Sequence, residues 1–243
     1  FASDVLAPLN RPGDLAGCQL ENGVARTPEG FKEAFEQLAQ DGWSGMLASQ
    51  ENGGQGLPNQ VAFAAFEMWT SANMAFGLIP LLGYSSIALL EAHGTDEQKK
   101  TYLGRLISGE WTSTMNLTEP HAGSDLGRLT TRAVPEGDHY RLTGQKIFIT
   151  GGEHDWTSNI IHLVLARLPD APEGSAGISL FLVPKFLVNE DGSLGARNDL
   201  RCVSIEEKLG IHASPTCVMS YGDNEGAIGY LVGGEHKGLA AMF

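Results

Sequence analysis

The sequence contains little cysteine and no metal-binding spacing. Its 243 residues include only three cysteines, Cys18, Cys202 and Cys217, which are too few and too scattered for a disulfide framework. None of them sits in a CxxC pair, and the seven histidines form no HExxH pattern. The composition therefore argues against a metal site and favours a reducing compartment.

Positive charge and nucleotide-binding loops are also scarce. The chain has 29 Asp and Glu against 16 Lys and Arg, a net charge of -13, which repels nucleic-acid phosphates and anionic membrane surfaces. There is no GxxxxGK loop, no GxGxxG after a strand and no GxSxG elbow. We therefore expect no nucleic-acid partner and no nucleotide site of the usual α/β kind.

One apolar run, residues 72–90, is uncharged over a length that could span a bilayer. Gly77, Pro80 and Gly83 interrupt it, which favours two buried helical pieces joined by a bend. The amino-terminal residues show no basic flank of the kind that precedes a signal sequence. We expect a soluble globular protein with a buried segment here and no membrane span.

Helical periodicity dominates the first half. Thr27 and Pro28 predict a helix start, and a second apolar stripe follows over residues 59–75. Thr95 and Gln98 have the spacing of a capping box in front of a third helix.

After Trp111 the pattern changes to short apolar runs rich in β-branched and aromatic residues. No helix-length segment separates these runs, which favours a β-barrel or sandwich with antiparallel connections. The predicted fold is therefore α+β, with an all-helical amino-terminal domain over residues 1–110 and a β-barrel or sandwich domain over residues 111–243. The predicted strands are WTSTMNL, YRLTG, KIFIT, IIHLVLAR, ISLFLVP and CVMSY.

The stretch MNLTEPHAGSD, residues 115–125, joins the end of a predicted strand to an open turn. Gly123 allows close approach of the backbone, and the hydroxyls of Thr118 and Ser124 can bind an anion or a ring rich in carbonyl groups. Taken alone, the stretch fits an ordinary β-turn better than a binding loop.

A second stretch, GQKIFITGG, shifts this balance. Period-two alternation places Phe148 and Thr150 on one face of its strand. An aromatic ring and a hydroxyl on one face can stack on a flat ligand and bond to its edge. The alternative is a core phenylalanine followed by a strand end.

Several motifs, in the same order along nearly the whole chain, resemble the acyl-CoA dehydrogenase family. The sequence of the segment from KIFITGG to GARND is most similar to a long-form bacterial branch of that family. The motifs are DGWSGMLASQENGGQGLP, HGTDEQKKTYLGRLISGEW, LTEPHAGSDL, YRLTGQKIFIT, EKLGIHASPT and GGEHKGLAAMF.

This resemblance implies an FAD cofactor. Thr118 would bond near the pyrimidine edge of the flavin, and Thr150 near its reactive N5. Ser124 would contact the FAD pyrophosphate and the CoA side of the substrate. Phe148 stands where many members have Trp, which keeps a stacking face but loses an N–H donor. The implied cofactor contacts are Met115, Leu117, Thr118, Gly123, Ser124, Phe148 and Thr150, with Ser124 also contacting substrate.

The resemblance also implies an activity, the α,β-dehydrogenation of an acyl-CoA, with electrons passed to an electron-transfer flavoprotein. It further implies a bacterial cytoplasmic location and a homo-oligomer built through a carboxyl-terminal helical bundle. In the family, the glutamate that removes the α-proton lies in that bundle, after the segment that resembles GGEHKGLAAMF. We expect the bundle to lie outside this chain, so no catalytic residue is assigned within it.

Two alternatives stay open: a non-catalytic module that binds FAD or acyl-CoA, and an acyl-CoA oxidase on the same scaffold. Glu119 is not a substitute base, since it belongs to the flavin-loop motif, and Glu153 and Asp155 are expected to be solvated in a turn. His121 is expected at the rim of the loop. Lys146 is expected to fix the strands by charge pairing.

Overall fold

The computed structural model describes all residues, Phe1–Phe243. Helices make up most of the first half, and α5 continues through a π-helical turn, Lys99–Leu103, into α6. The helices are α1 Ala7–Ala16, α2 Phe31–Gln40, α3 Asn59–Ala72, α4 Met74–His93, α5 Asp96–Gln98 and α6 Gly104–Ile107.

A short hairpin interrupts these helices, so the prediction of an all-helical first half was wrong in this detail. Its strands are β1, Gln19–Glu21, and β2, Val24–Arg26. Asn22 and Gly23 join them with φ of 51° and 77°, as a type I′ turn requires.

The predicted start of α2 was wrong as well. The helix begins at Phe31, three residues after Pro28, and its N-cap is Gly30, which has φ of 86°. The Thr27 hydroxyl instead donates to Asp155 and accepts from Trp156 Nε1, both at 2.8 Å. Thr27 therefore ties the helical half to the second half instead of capping a helix.

From Met74 onward the apolar run forms one continuous helix, α4, with Pro80 inside it, so the predicted division into two pieces was wrong. The side chain of the buried Asn73 caps the helix by accepting from the Phe76 N–H at 3.1 Å. The stretch is long and apolar enough to cross a membrane, with mean hydropathy 1.5, but 56% of it is buried within the fold. This burial is typical of the core helix of a globular domain.

The second half contains the remaining strands and a final helix. Five of these strands pair in a closed ring, in the order β5 (His139–Thr150), β12 (Ala227–Val232), β7 (Ile178–Pro184), β6 (Ile160–Arg167), β4 (Arg132–Glu136) and back to β5. The ring closes between β4 and β6, where Arg132 is paired with Arg167. The backbone N–H of Arg167 donates to Thr131 O at 2.9 Å. The elements are β3 Thr112–Asn116, β4 Arg132–Glu136, β5 His139–Thr150, β6 Ile160–Arg167, β7 Ile178–Pro184, β8 Phe186–Val188, β9 Leu194–Arg197, β10 Leu200–Ile205, β11 Thr216–Tyr221, β12 Ala227–Val232 and α7 Gly238–Met242.

The ring confirms the predicted barrel, but two details differ. The stretches YRLTG and KIFIT are one long strand, β5, whose second half pairs with β11, and β10 follows at the outer edge. In addition, β3 and β4 both pair with β6 in parallel, so the connections are not all antiparallel. Strand β3 has β6 as its only strand neighbour.

Trp156, from the second half, lies in the core of the helical half. Its ring stacks on Phe35 and Phe76, with centroids 5.3 and 5.4 Å apart. A second core cluster combines α4 residues such as Leu90 with Leu163 of β6. The helices and the barrel therefore share one interface, and β3 and the end of β5 lie beside it.

Candidate functional site

The loop that follows β3 is fastened to β5. Leu117 O accepts from Lys146 Nζ at 2.9 Å, and Thr118 O accepts from the Ile147 N–H at 2.8 Å. Glu119 and Ala122 then exchange two backbone hydrogen bonds, at 2.9 and 3.0 Å, which close a tight turn. The first predicted motif therefore lies directly against the second.

A buried ion pair underlies this contact. Glu119 is 3% exposed, and its Oε1 accepts from Lys146 Nζ at 2.8 Å. Oε1 also accepts from Thr131, and Oε2 accepts from the Thr130 N–H at 2.7 Å. Burial opposes ionisation of Glu119, but the Lys146 charge and these hydrogen bonds outweigh it and lower the pKa to about 2. The pair confirms the expected role of Lys146 and leaves Glu119 fully engaged.

The end of β5 carries a bulge that exposes Phe148. The pairing register with β11 shifts between Cys217 and Met219, and Phe148 has φ of 59°. Its side chain is 59% exposed, whereas the next residue, Ile149, is buried in the barrel core. A bulky residue with positive φ is strained, and such strain is found preferentially at functional sites.

Three polar residues on one face of β3 hold this strand in place. Thr112 Oγ1 lies 2.8 Å from His154 Nε2, and Thr114 Oγ1 donates to Thr150 O at 2.7 Å. Asn116 Oδ1 accepts from the Tyr221 hydroxyl at 2.9 Å. We call Thr112, Thr114 and Asn116 the polar row. The sequence reasoning missed it, although polar residues at alternate positions 112, 114 and 116 of a predicted strand were a usable signal.

All seven predicted contacts remain accessible. Gly123, Ser124 and Phe148 are exposed, and the other four are half-buried. Thr118 adjoins Phe148 through the bond to Ile147, and a Cβ on Gly123 would lie 3.6 Å from Thr118 Cγ2.

The accessible side chains of the two motifs combine apolar surface with hydroxyl groups. Met115, Leu117 and Phe148 supply the apolar surface, and Thr118 and Thr150 supply the hydroxyls. This combination fits a flat ring with a polar edge.

The turn after β5 is buried, so the expectation that Glu153 is solvated was wrong. Glu153 is fully buried, forms a short ion pair with Lys185 and lies 3.5 Å from Arg197. Asp155 is half-buried and accepts from Thr27. The partners come from distant parts of the chain, which local sequence reasoning could not reveal.

The histidines near the site are hydrogen-bonded. His154 is buried against Thr112, and burial, reinforced by the charge of Lys185, lowers its pKa to about 3. His121 lies at the exposed rim of the loop, with Nε2 3.2 Å from Arg128 O. His154 is therefore neutral near pH 7.

Comparisons with known proteins agree with these features. Residues 19–110 match the N-terminal domain of acyl-CoA dehydrogenases, and residues 114–223 match the middle domain. The crystal structure of acyl-CoA dehydrogenase from Geobacillus kaustophilus has the same fold, with a TM-score of 0.77, 24% identity and coverage of 100% of this chain and 57% of that one.

Two curated relatives match over almost the whole chain. The 3-methylmercaptopropionyl-CoA dehydrogenase of Ruegeria pomeroyi is 54% identical over 244 residues, which cover 100% of this chain and 41% of the relative. A butyryl-CoA dehydrogenase of Syntrophomonas wolfei is 39% identical over 250 residues, covering 99% and 41%. The chain thus spans about two fifths of the length of these relatives, and the predicted resemblance to the branch that includes the Ruegeria enzyme is confirmed. The family consists of FAD flavoproteins, as predicted. The chain belongs to the acyl-CoA dehydrogenase family, of which it contains the N-terminal and middle domains.

Proposed function

We propose that this chain is the flavin- and substrate-binding part of an FAD-dependent acyl-CoA dehydrogenase. The observation that carries the proposal is the direct bond between the two motifs, Ile147 N–H to Thr118 O, beside a phenylalanine held outward in a strained conformation. Met115, Leu117 and Phe148 would supply the apolar wall against the flavin. Thr118 and Thr150 would supply the hydroxyls for its polar edge, and Gly123 and Ser124 would face the pyrophosphate and the CoA end.

FAD, when bound, supplies the hydride acceptor. The residues of this chain would orient the thioester against it and exclude water from the apolar wall. Removal of the α-proton needs a carboxylate that is free to accept it. Glu119 does not meet this need, because Lys146, Thr130 and Thr131 occupy both of its oxygens. The resemblance to the family implies a glutamate in the carboxyl-terminal helical bundle for this step, and we propose that residue, instead of Glu119, as the base.

The test uses the full-length protein. It should purify with bound flavin, and anaerobic addition of short-chain acyl-CoA thioesters should bleach the flavin absorbance. A well-folded full-length protein without flavin would contradict the proposal. Bound flavin that no acyl-CoA bleaches would instead support the non-catalytic module.

A dehydrogenase should pass its electrons to an electron-transfer flavoprotein and release little peroxide in air. High peroxide yield per turnover would identify an oxidase. Location in a bacterial cytoplasm accompanies this proposal, since both relatives described above come from bacteria. Assembly into a homo-oligomer accompanies it as what the resemblance to the family implies.

A further inference from the structure

Strand β3 carries Met115 and leads directly into Leu117 and Thr118, yet only one of its edges is paired. Register is strongly specified where one face of a strand is apolar and buried, and weakly specified where both faces are polar. In β3 four of the five residues are polar, and these four are all buried. No apolar face therefore reinforces the five register pairs with β6, and polar side chains can supply the missing restraint before the flavin loop.

The polar row supplies this restraint. Its three members alternate along the strand, and each is hydrogen-bonded to a different partner: His154, Thr150 O and Tyr221. A shift of β3 by one residue would turn all three side chains to the opposite face and break every one of these bonds.

Tyr221 holds the end of the row that is nearest the loop. Its hydroxyl donates to Asn116 Oδ1 at 2.9 Å and lies 3.0 Å from His162 Nδ1. Asn116, His162 and Tyr221 are all at most 1% exposed. Asn116 in turn donates from Nδ2 to Thr114 O at 3.2 Å, and Thr114 donates to Thr150 O. One chain of hydrogen bonds therefore runs from Tyr221, through β3, to the end of β5.

We propose that Tyr221 is a positioning residue for the flavin, which acts through Asn116 and Thr114 on the two strands that present Leu117, Thr118 and Thr150. The inference rests on the proposed function and adds a residue that itself makes no contact with the cofactor. A buried polar group that loses its partner must find another or shift. Removal of the hydroxyl leaves Asn116 Oδ1 with only the longer contact to His162 Nδ1, at 3.4 Å, and so loosens the start of the flavin loop.

The experiment compares Tyr221→Phe with Tyr140→Phe in the full-length protein. The ring of Tyr140 packs edge-on against Phe181 in the barrel, at a centroid distance of 4.9 Å, so this variant controls for loss of a barrel tyrosine hydroxyl. FAD is removed and titrated back, and the visible absorbance bands and midpoint potential of the bound flavin are recorded. We expect Tyr221→Phe to weaken FAD binding by about five- to tenfold, the scale of one lost hydrogen bond, and to shift the bands and the potential. Tyr140→Phe should have the same FAD affinity, absorbance bands and midpoint potential as wild type.

A second pair keeps the proposal testable if Tyr221→Phe fails to fold. Thr114→Val keeps the shape of the side chain without its hydroxyl and should change the flavin bands in the same sense. Thr114→Ser keeps the hydroxyl and should restore the wild-type bands.

The outcomes separate the two proposals. Wild-type protein that binds no FAD would overturn the proposed function. Flavin-loaded protein whose affinity, bands and potential are the same in Tyr221→Phe and wild type, or in Thr114→Val and Thr114→Ser, would overturn the positioning role alone.

Discussion

Lys146 and Glu119 form an ion pair in the interior, with Nζ 2.8 Å from Oε1 and neither side chain more than 2% exposed. The pair joins β5 to the loop after β3, so the same contact that neutralises a buried carboxylate also brings the two flavin motifs together. Burial lowers the pKa of Lys146 to about 8, although Glu119 opposes this shift, so the ammonium is largely protonated near pH 7. Glu119 belongs to the flavin-loop motif, but its ion pair with Lys146 gives it a structural role.

The first prediction concerns the loss of this ammonium. In Lys146→Met the Glu119 carboxylate stays buried without its cation, and we expect the free energy of unfolding to fall by about 3 to 5 kcal/mol. Denaturant unfolding of the full-length protein measures the change. Lys32→Met removes a half-exposed lysine that pairs with Glu36 at 4.0 Å, and should change stability by about 0.5 kcal/mol or less. Equal losses in the two variants would contradict a structural role for the buried pair.

The second prediction concerns acid stability. Burial lowers the pKa of both His154 and His162 from 6.5 to about 3, with a smaller contribution from the charge of Lys185. Between these values the unfolded chain binds protons that the folded chain excludes, so the free energy of unfolding rises with pH. Each histidine contributes at most about 1.4 kcal/mol per pH unit.

The measurement is the slope of unfolding free energy against pH from about 5 to 6.5, a window inside the shifted range of both histidines. The folded-state pKa of Glu119, about 2 against 4.5, adds its loss of stability only at lower pH. His154→Gln should reduce this slope by up to about 1.4 kcal/mol per pH unit, which corresponds to one proton. His93→Gln, at the exposed end of α4, controls for the substitution of a histidine. A slope in His154→Gln equal to that of wild type would refute the assignment.

The sequence predicted what is local or repeated and missed what depends on distant partners. The capping box formed as expected, with Thr95 Oγ1 3.2 Å from the Gln98 nitrogen, because both groups lie within one turn. The burial of Glu153 depends on Lys185, 32 residues away, and no local pattern near Glu153 indicates that cation. Local reasoning could therefore locate the turn after β5 but not the cation that is buried with Glu153.

Two other differences had signals that were visible in the sequence. Asn22-Gly23 is typical of a two-residue hairpin turn, and the hairpin forms there. The alternation of Thr112, Thr114 and Asn116 indicated a strand with a polar face. That this face is buried became clear only from the structure, because its partners lie on β5, β11 and the turn after β5.

The third prediction concerns two glycines without positive φ. A Cβ on Gly177 would lie 1.9 Å from Pro172 O, a backbone atom that cannot yield cheaply. Gly177→Ala should therefore destabilise the protein by about 1 to 3 kcal/mol. A Cβ on Gly104, at the start of α6, meets nothing within 4 Å, so Gly104→Ala should stabilise the protein by about 0.5 to 1 kcal/mol. Thermal unfolding gives both values. Stabilisation by Gly177→Ala would show that packing at Gly177 is looser than these distances indicate, and destabilisation by Gly104→Ala would contradict the free space at Gly104.

The fourth prediction concerns the exposed ring of Phe148. Because this side chain is 59% exposed and the core begins at Ile149, Phe148→Ala should change the free energy of unfolding of the FAD-free protein by about 0.5 kcal/mol or less. Alanine keeps a Cβ on the same positive-φ backbone, so the comparison isolates the ring. If the ring stacks on the flavin, its loss should weaken FAD binding by about tenfold, and Phe148→Trp should retain the affinity because it keeps an aromatic face.

Phe63 provides the matched control for Phe148. It is 65% exposed on α3, so Phe63→Ala removes an equally accessible ring outside the two motifs. Titration of FAD into the FAD-free full-length variants should separate them, with Phe63→Ala close to wild type and Phe148→Ala weakened. Equal affinity in Phe148→Ala and Phe63→Ala would mean that the outward position of Phe148 does not serve the cofactor. Its strained backbone would then need another explanation, such as contact with a part of the protein outside residues 1–243.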